Sequence, residues 1–215
     1  MVSLNGLALE RALRWVDARE PDLVAITGDL LANRRGEAAL ERAVARLARR
    51  SPVFAVLGNH DVGKSRDPWS RPADTKVAKD AGAVLLADSS VTIELRGVRV
   101  QVAGAAPVRG RDTLEVLVDP EAAFRILLCH YPQTVDRLPV GAFQLVLAGH
   151  THGGQICLPY PGGKLRLEHL GASYWEGVYR RPTATLHVSR GLGTSLVPFR
   201  FLARPQATEL VLRRA

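Results

Sequence analysis

The chain has 215 residues, 47% of them hydrophobic and 23% charged, which is enough apolar material to bury a core and excludes a disordered chain. No apolar run approaches the roughly 18 residues of a membrane-spanning helix, and the cysteines, Cys129 and Cys157, form no CxxC pair, so a disulfide framework is excluded too. Basic residues outnumber acidic ones by 29 to 21, for a net charge of +8, but they are spread along the chain with no block of five or six; this favours an anionic substrate over nucleic acid.

Met1-Val2-Ser3-Leu4 runs straight into a helical pattern without a basic n-region, an apolar h-region or a cleavage site, so no signal peptide is expected here. Leu4, Leu7, Leu13 and Val16 recur near helical spacing, and residues 4–19 read as an amphipathic helix closed by Pro21. Leu23–Ile26 is a short apolar run of buried-strand type that ends at Thr27-Gly28-Asp29. Residues 37–50 read as a second helix with Leu40, Val44 and Leu47 on one face, and Val53–Leu57 as a second buried strand ending at Gly58-Asn59-His60-Asp61. Helix, strand, helix, strand implies parallel strands with crossover helices, an α/β layered fold.

The pattern then changes. Residues 63–72, rich in Pro and Arg, read as a long surface loop carrying Trp69. Val91–Leu95 and Val98–Ala103 alternate about Arg96-Gly97, a hairpin signal. Ile126–Cys129 and Leu145–Ala148 are again buried strands, ending at His130 and at Gly149-His150, and Cys129 is expected to pack as a small hydrophobe. The last quarter is rich in strands and turns, most clearly Ala184–Ser189 and Glu209–Leu212. His169 and His187 lie there without motif context and are read as unrelated to a site, with His187 expected to face solvent.

Four apolar strands thus end in residues of metal-ligand type: Asp29, then Asn59 and His60, then His130, then His150 and His152. Open α/β sheets build their sites beyond the carboxyl ends of the strands, so these side chains should meet in one crevice. A carboxylate, an amide oxygen and several imidazoles suit a divalent ion such as Mn, Fe or Zn. Gly149-His150-Thr151-His152-Gly153-Gly154 is the most specific element, since two imidazoles in a glycine-rich loop have few structural reasons to exist.

Gly28-Asp29, Gly58-Asn59-His60-Asp61, His130 and Gly149-His150-Thr151-His152 together resemble the motif series of the calcineurin-like metallophosphoesterases. The longer run to Gln155 and Ser189-Arg190-Gly191-Leu192-Gly193 resemble a bacterial subgroup, many of whose members are associated with membranes or the envelope. The resemblance implies a four-layer α/β/β/α sandwich over one domain, 1–215, and a dinuclear-type site hydrolysing a phosphomonoester or phosphodiester. It implies that Asp29 bridges two ions, that Asn59, His130 and His150 complete one shell, and that His152 binds the other ion. His60 would act as the acid by the scissile phosphate, with Asp61 orienting its imidazole. The substrate would be a phosphorylated small molecule or lipid, with no specific nucleic acid, and the protein would be cytoplasmic or associated with a membrane surface.

One departure qualifies this expectation. The Asp-x-His that opens the family's motif series occurs nowhere in the chain. The expectation is therefore a domain shortened at its N-terminus by the first strand, with one ion's ligands complete and the other's reduced to Asp29 and His152. The competing expectation is a metal- or phosphate-binding remnant without catalysis. Retention of His60 and Asp61 favours the enzyme, because a pure binder has little need of a proton donor.

Overall fold

The computed structural model describes residues 6–107 and 117–213; the expected helix start at residues 4 and 5 lies outside them. The elements, in chain order, are α1 (Gly6–Asp17), β1 (Val24–Thr27), α2 (Glu37–Ala48), β2 (Val53–Val56), α3 (Lys76–Asp80), β3 (Ala83–Leu85), β4 (Ser89–Leu95), β5 (Val98–Gly104), β6 (Phe124–Leu128), β7 (Leu145–Ala148), β8 (Cys157–Tyr160), β9 (Gly163–Arg166), β10 (Gly177–Arg180) and β11 (Thr185–Val188). None of the described helices is long and apolar enough to cross a membrane.

These strands form two principal sheets. Strands β1, β2 and β3 are parallel, in that order. The second sheet runs β10-β11-β7-β6-β5-β4, with β5, β6, β7 and β11 parallel and the β4 and β10 edges antiparallel. A separate hairpin, β8–β9, lies outside both.

Period-2 alternation explains the layers. Phe54 and Val56 of β2 meet Val100, Val102, Ile126, Leu128, Leu145 and Leu147 in the core between the sheets. The opposite face of β2, Val53 and Ala55, packs on Leu40 and Val44 of α2 and Ala78 of α3. Leu127, Val146 and Leu186 point the other way and are covered by Val135, Leu138 and Phe143. That outer cover is a 3-10 turn, Pro132–Arg137, with loops rather than an α-helix among the described residues. Because both faces of the central strands are covered, they read as unbroken apolar runs. β1 lies at the edge of its sheet, and its four residues are half-buried where those of β2 are fully buried.

Two expectations are corrected here. Residues 209–212 form no strand, and Val211 and Leu212 are exposed; among the described residues no strand pairs with the segment to complete a ladder. His187 does not face solvent: it lies on β11, an interior strand between β10 and β7, and its side chain is buried. Cys129 packs in the outer core as expected, and burial pushes its thiol up to about 12.

Truncation tests the shared core. Phe54→Ala opens a cavity between the sheets and should cost about 3–5 kcal/mol by urea unfolding, a large share of a domain's usual ~5–15 kcal/mol.

Candidate metal centre

Every side chain singled out at a strand end leaves the carboxyl edge of β1, β2, β6 or β7, and glycines let those four ends touch. A Cβ on Gly58 would lie 2.1 Å from Asp29 Oδ1, one on Gly28 2.7 Å from His130 Nδ1, and one on Gly149 2.9 Å from Thr27 Oγ1. Backbone approach of this kind excludes any other residue. The ligand-bearing residues beside these glycines turn sharply: Asp29, His150 and His152 have φ of 55°, 72° and 49°. Left-handed backbone costs a non-glycine residue about 1–3 kcal/mol and concentrates at functional sites.

Asp29, Asn59, His130 and His150 meet. One donor atom each from Asp29, His130 and His150 lies within 4.8 Å of the others. His130 Nδ1 faces the Thr27 carbonyl at 2.9 Å, and a carbonyl only accepts, so Nδ1 carries a proton. In the neutral ring, Nε2 is then a lone pair. It faces Asn59 Oδ1 at 3.0 Å, His150 Nδ1 at 3.1 Å and Asp29 Oδ2 at 3.3 Å. Asp29 Oδ1 accepts the His60 backbone N–H, leaving Oδ2 toward the imidazoles. A buried cluster with this many electron pairs and so few protons fits a cation. A carboxylate, an amide oxygen and two imidazoles make a borderline-hard donor set suited to a divalent ion.

The electrostatics agree. His130 is desolvated, which lowers its pKa, but Asp29 outweighs burial and raises it. Asp29 is likewise pushed up by burial, yet His130 and His60 hold it well below the carboxylate range. His150 is pulled down to about 3 by burial, with His130 and His169 adding to the shift. Without a cation, one proton on His130 Nε2 serves both Asp29 and the neutral His150.

His60 flanks this cluster, its Nε2 4.0 Å from Asp29 Oδ2. Its ring nitrogens meet Ser70 Oγ and Ser65 Oγ, both at 3.1 Å, so the loop expected over residues 63–72 closes on the site. Burial lowers the His60 pKa, against the pull of Asp29 and Asp67. Asp61, expected to orient this ring, meets backbone groups. Its carboxylate accepts the backbone N–H groups of Gly58, Leu30 and Leu31, at 2.8, 3.1 and 3.1 Å. Three converging backbone donors occupy the carboxylate, so Asp61 clamps the β2 loop to the β1 loop, and the serines touch His60 instead.

His152 is buried nearby, but its Nδ1 faces Gln155 Oε1 at 3.2 Å and Glu168 Oε2 at 3.3 Å rather than the other donors. Gly153 and Gly154 let this loop pass beneath arginines, since Cβ atoms there would meet Arg190 and Arg166 at 2.7 and 2.6 Å. Arg190 itself pairs with Glu176 at 3.2 Å. Two ring-bearing residues near the centre escaped sequence reasoning. The His169 ring lies 4.3 Å from that of His150, which corrects its reading as unrelated, and Tyr131 lies 4.7 Å from His150. Tyr131 is signalled only by adjacency to His130, and Glu168-His169 by nothing local.

The histidine shifts set an acid limb. A folded-state pKa of about 3 for His150, against 6.5 unfolded, means the unfolded chain binds more protons between those values. The contribution of His150 to the stability of the metal-free protein is therefore full above about pH 6.5 and lost on acidification toward pH 3, while the raised pKa of His130 acts in the opposite sense. Urea midpoints of chelator-treated protein should fall across that window, and His150→Gln should flatten the fall.

Comparison with known proteins agrees with this architecture. The calcineurin-like phosphoesterase family profile matches residues 7–154. The uncharacterized metallophosphoesterase YkuE of Bacillus subtilis (strain 168) is 31% identical over 213 residues, which cover 95% of this chain and 72% of YkuE. Phosphodiesterase YaeI of Escherichia coli (strain K12) is 26% identical over 203 residues, 90% of this chain and 71% of YaeI. In fold, the chain is similar to the NAD nucleotidase NadN of Haemophilus influenzae, with a TM-score of 0.53 at 13% identity over 88% of this chain and 39% of NadN. The profile spans the strand ends from β1 to the loop after β7, where the donors converge, and the chain belongs to the calcineurin-like phosphoesterase family, a metal-dependent hydrolase of phosphoesters.

Proposed function

We propose that the chain hydrolyses a phosphomonoester or phosphodiester of a small molecule or lipid at a dinuclear-type site. The observation that carries this is the convergence of lone pairs from Asp29, Asn59, His130 and His150 beside the imidazole of His60. On this reading Asp29, Asn59, His130 and His150 hold one divalent ion, Mn, Fe or Zn, and Asp29 and His152 contribute to a second. Ions so held supply charge to the phosphoryl oxygens and lower the pKa of the attacking water.

The chain's own groups do the rest. Gly28 and Gly58 give Asp29 room to face the imidazoles. Burial of the cluster strengthens every charge interaction with a phosphate anion. His60 faces the leaving oxygen and gives it a proton. Burial lowers its pKa in the free protein, but an arriving phosphate is a negative charge that favours the protonated ring. Ser65 and Ser70 hold the ring meanwhile, and a substrate oxygen displaces one of the hydroxyls. A metal- or phosphate-binding remnant remains the second reading, favoured by the absence of an Asp-x-His in the sequence.

Substitution separates the roles. Asp29→Asn and His150→Ala should each abolish tight binding of Mn or Zn by calorimetry. His60→Gln should keep the metal content and lower kcat by about 10²–10⁴-fold on alkyl phosphoesters. The loss should shrink on p-nitrophenyl esters, whose leaving group needs no proton. Equal losses on both substrates would remove the acid role, and metal binding without any turnover by the native chain would favour the remnant.

A further inference from the structure

We infer that Gln155 is a positioning residue that keeps the proton of His152 on Nδ1 and so presents the Nε2 lone pair to a divalent cation. Gln155 is almost wholly buried, and every hydrogen-bonding position of its amide is occupied. Nε2 of Gln155 donates to the carbonyls of Ser195 and Val197, at 2.6 and 3.2 Å. Oε1 accepts the Ser195 backbone N–H at 2.7 Å. Turning the amide over would set its NH₂ against the Ser195 N–H and its oxygen against the Ser195 carbonyl. The backbone of residue 195 therefore fixes which amide atom faces His152, and that atom is the oxygen, 3.2 Å from Nδ1. An amide oxygen only accepts, so Nδ1 must donate, and in the neutral ring Nε2 is left unprotonated.

The backbone holds the ring in the same register. His152 has a left-handed φ of 49°, and its carbonyl accepts from Gln155 N at 3.2 Å and from Arg200 Nη1 at 2.8 Å. Gln155 thus grips His152 through the main chain and through the side chain at once. Glu168 is the rival for the Nδ1 proton, with Oε2 3.3 Å away, but that oxygen makes no hydrogen bond with acceptable geometry, so the assignment falls to Gln155. Ligating histidines commonly donate their other ring nitrogen to an outer acceptor that fixes tautomer and orientation, usually a carboxylate or a carbonyl. Here a glutamine three residues along the same loop takes that place.

The cation half of this inference rests on the proposed function; the tautomer half does not, and the experiment keeps them apart. Long-range ¹H–¹⁵N correlation spectra of the chelator-treated chain, at about pH 8 where free histidine is neutral, report each ring nitrogen directly. His152 should show a pyrrole-type Nδ1 and a pyridine-type Nε2. Gln155→Met should scatter the proton over both nitrogens, while Gln155→Glu, which keeps the acceptor, and Glu168→Gln should leave it on Nδ1. A wild-type spectrum with the proton on Nε2 overturns the assignment, as does a Gln155→Met spectrum identical to wild type. Should Gln155→Met fail to fold, the wild-type and Gln155→Glu spectra still decide. Titration with Mn or Zn reads the second half: Gln155→Met should weaken one binding step by about 10–100-fold and leave the other unchanged. A correct tautomer with no binding step sensitive to His152 would leave the positioning intact and overturn the cation half alone.

Discussion

Four strand ends deliver electron pairs to one buried point with too few protons to keep them apart, and the arrangement of the centre follows from that. The Thr27 carbonyl claims the proton of His130 Nδ1, and the His60 backbone N–H claims Asp29 Oδ1. At the centre stands His130 Nε2, with Asn59 Oδ1, His150 Nδ1 and Asp29 Oδ2 gathered 3.0, 3.1 and 3.3 Å from it. In a medium poor in water such a crowd of electron pairs is stabilised by positive charge among its members. A proton on His130 supplies it weakly; a divalent ion supplies it well and satisfies all four. The shifts of Asp29, His130 and His150 are three expressions of this one requirement, which a family of metal-dependent hydrolases meets by design of its strand ends.

The donors can approach so closely because the backbone beneath them carries no side chains. Gly28, Gly58 and Gly149 stand where β1, β2 and β7 end, and each faces a neighbouring strand end rather than solvent. Two sheets packed through side chains lie about 10 Å apart. At this edge the spacing collapses, which lets the short side chain of Asp29 from one sheet reach His130 and His150 from the other. Within the first sheet, Asp61 ties the β1 and β2 loops together through three backbone donors. The left-handed turns at Asp29, His150 and His152 are the local cost, offset by the sheet cores on which these loops are mounted.

This division explains what could be read from sequence. Val53–Leu57, Ile126–Cys129 and Leu145–Ala148 announce themselves because both faces of an interior strand are buried, and their terminal polar residues stand out against the apolar runs. The β4–β5 hairpin is legible from its alternation. Short peripheral elements are not: α3 has five residues, β3 has three, and β8–β9 is an isolated hairpin, so none repeats its period often enough to stand out. Asp29, Asn59, His130 and His150 were legible as a group because topology alone brings strand ends together. Ser65, Ser70, Glu168 and His169 reach the centre by the folding back of loops, which no local pattern encodes. Asp61 was legible as a residue but its backbone partners were not, since adjacency to His60 says nothing of which way a carboxylate turns in a tight loop.

His152 belongs to a different support system from the other imidazoles. His130 and His150 face each other and answer to Asp29, while His152 is gripped from the side of the last loops by Gln155, itself bound to residues 195 and 197. The same loops tie to the flap over His60, where Asp67 accepts the Leu196 N–H at 3.0 Å. Residues 195–197 therefore connect the shell of His152 to the segment bearing Ser65 and Ser70. The segment that meets both ring nitrogens of His60 is thus joined by hydrogen bonds to the chain that holds Gln155. The centre around Asp29 is mounted on strand ends, whereas the His152 side and the His60 side share one loop system, held together at residues 195–197.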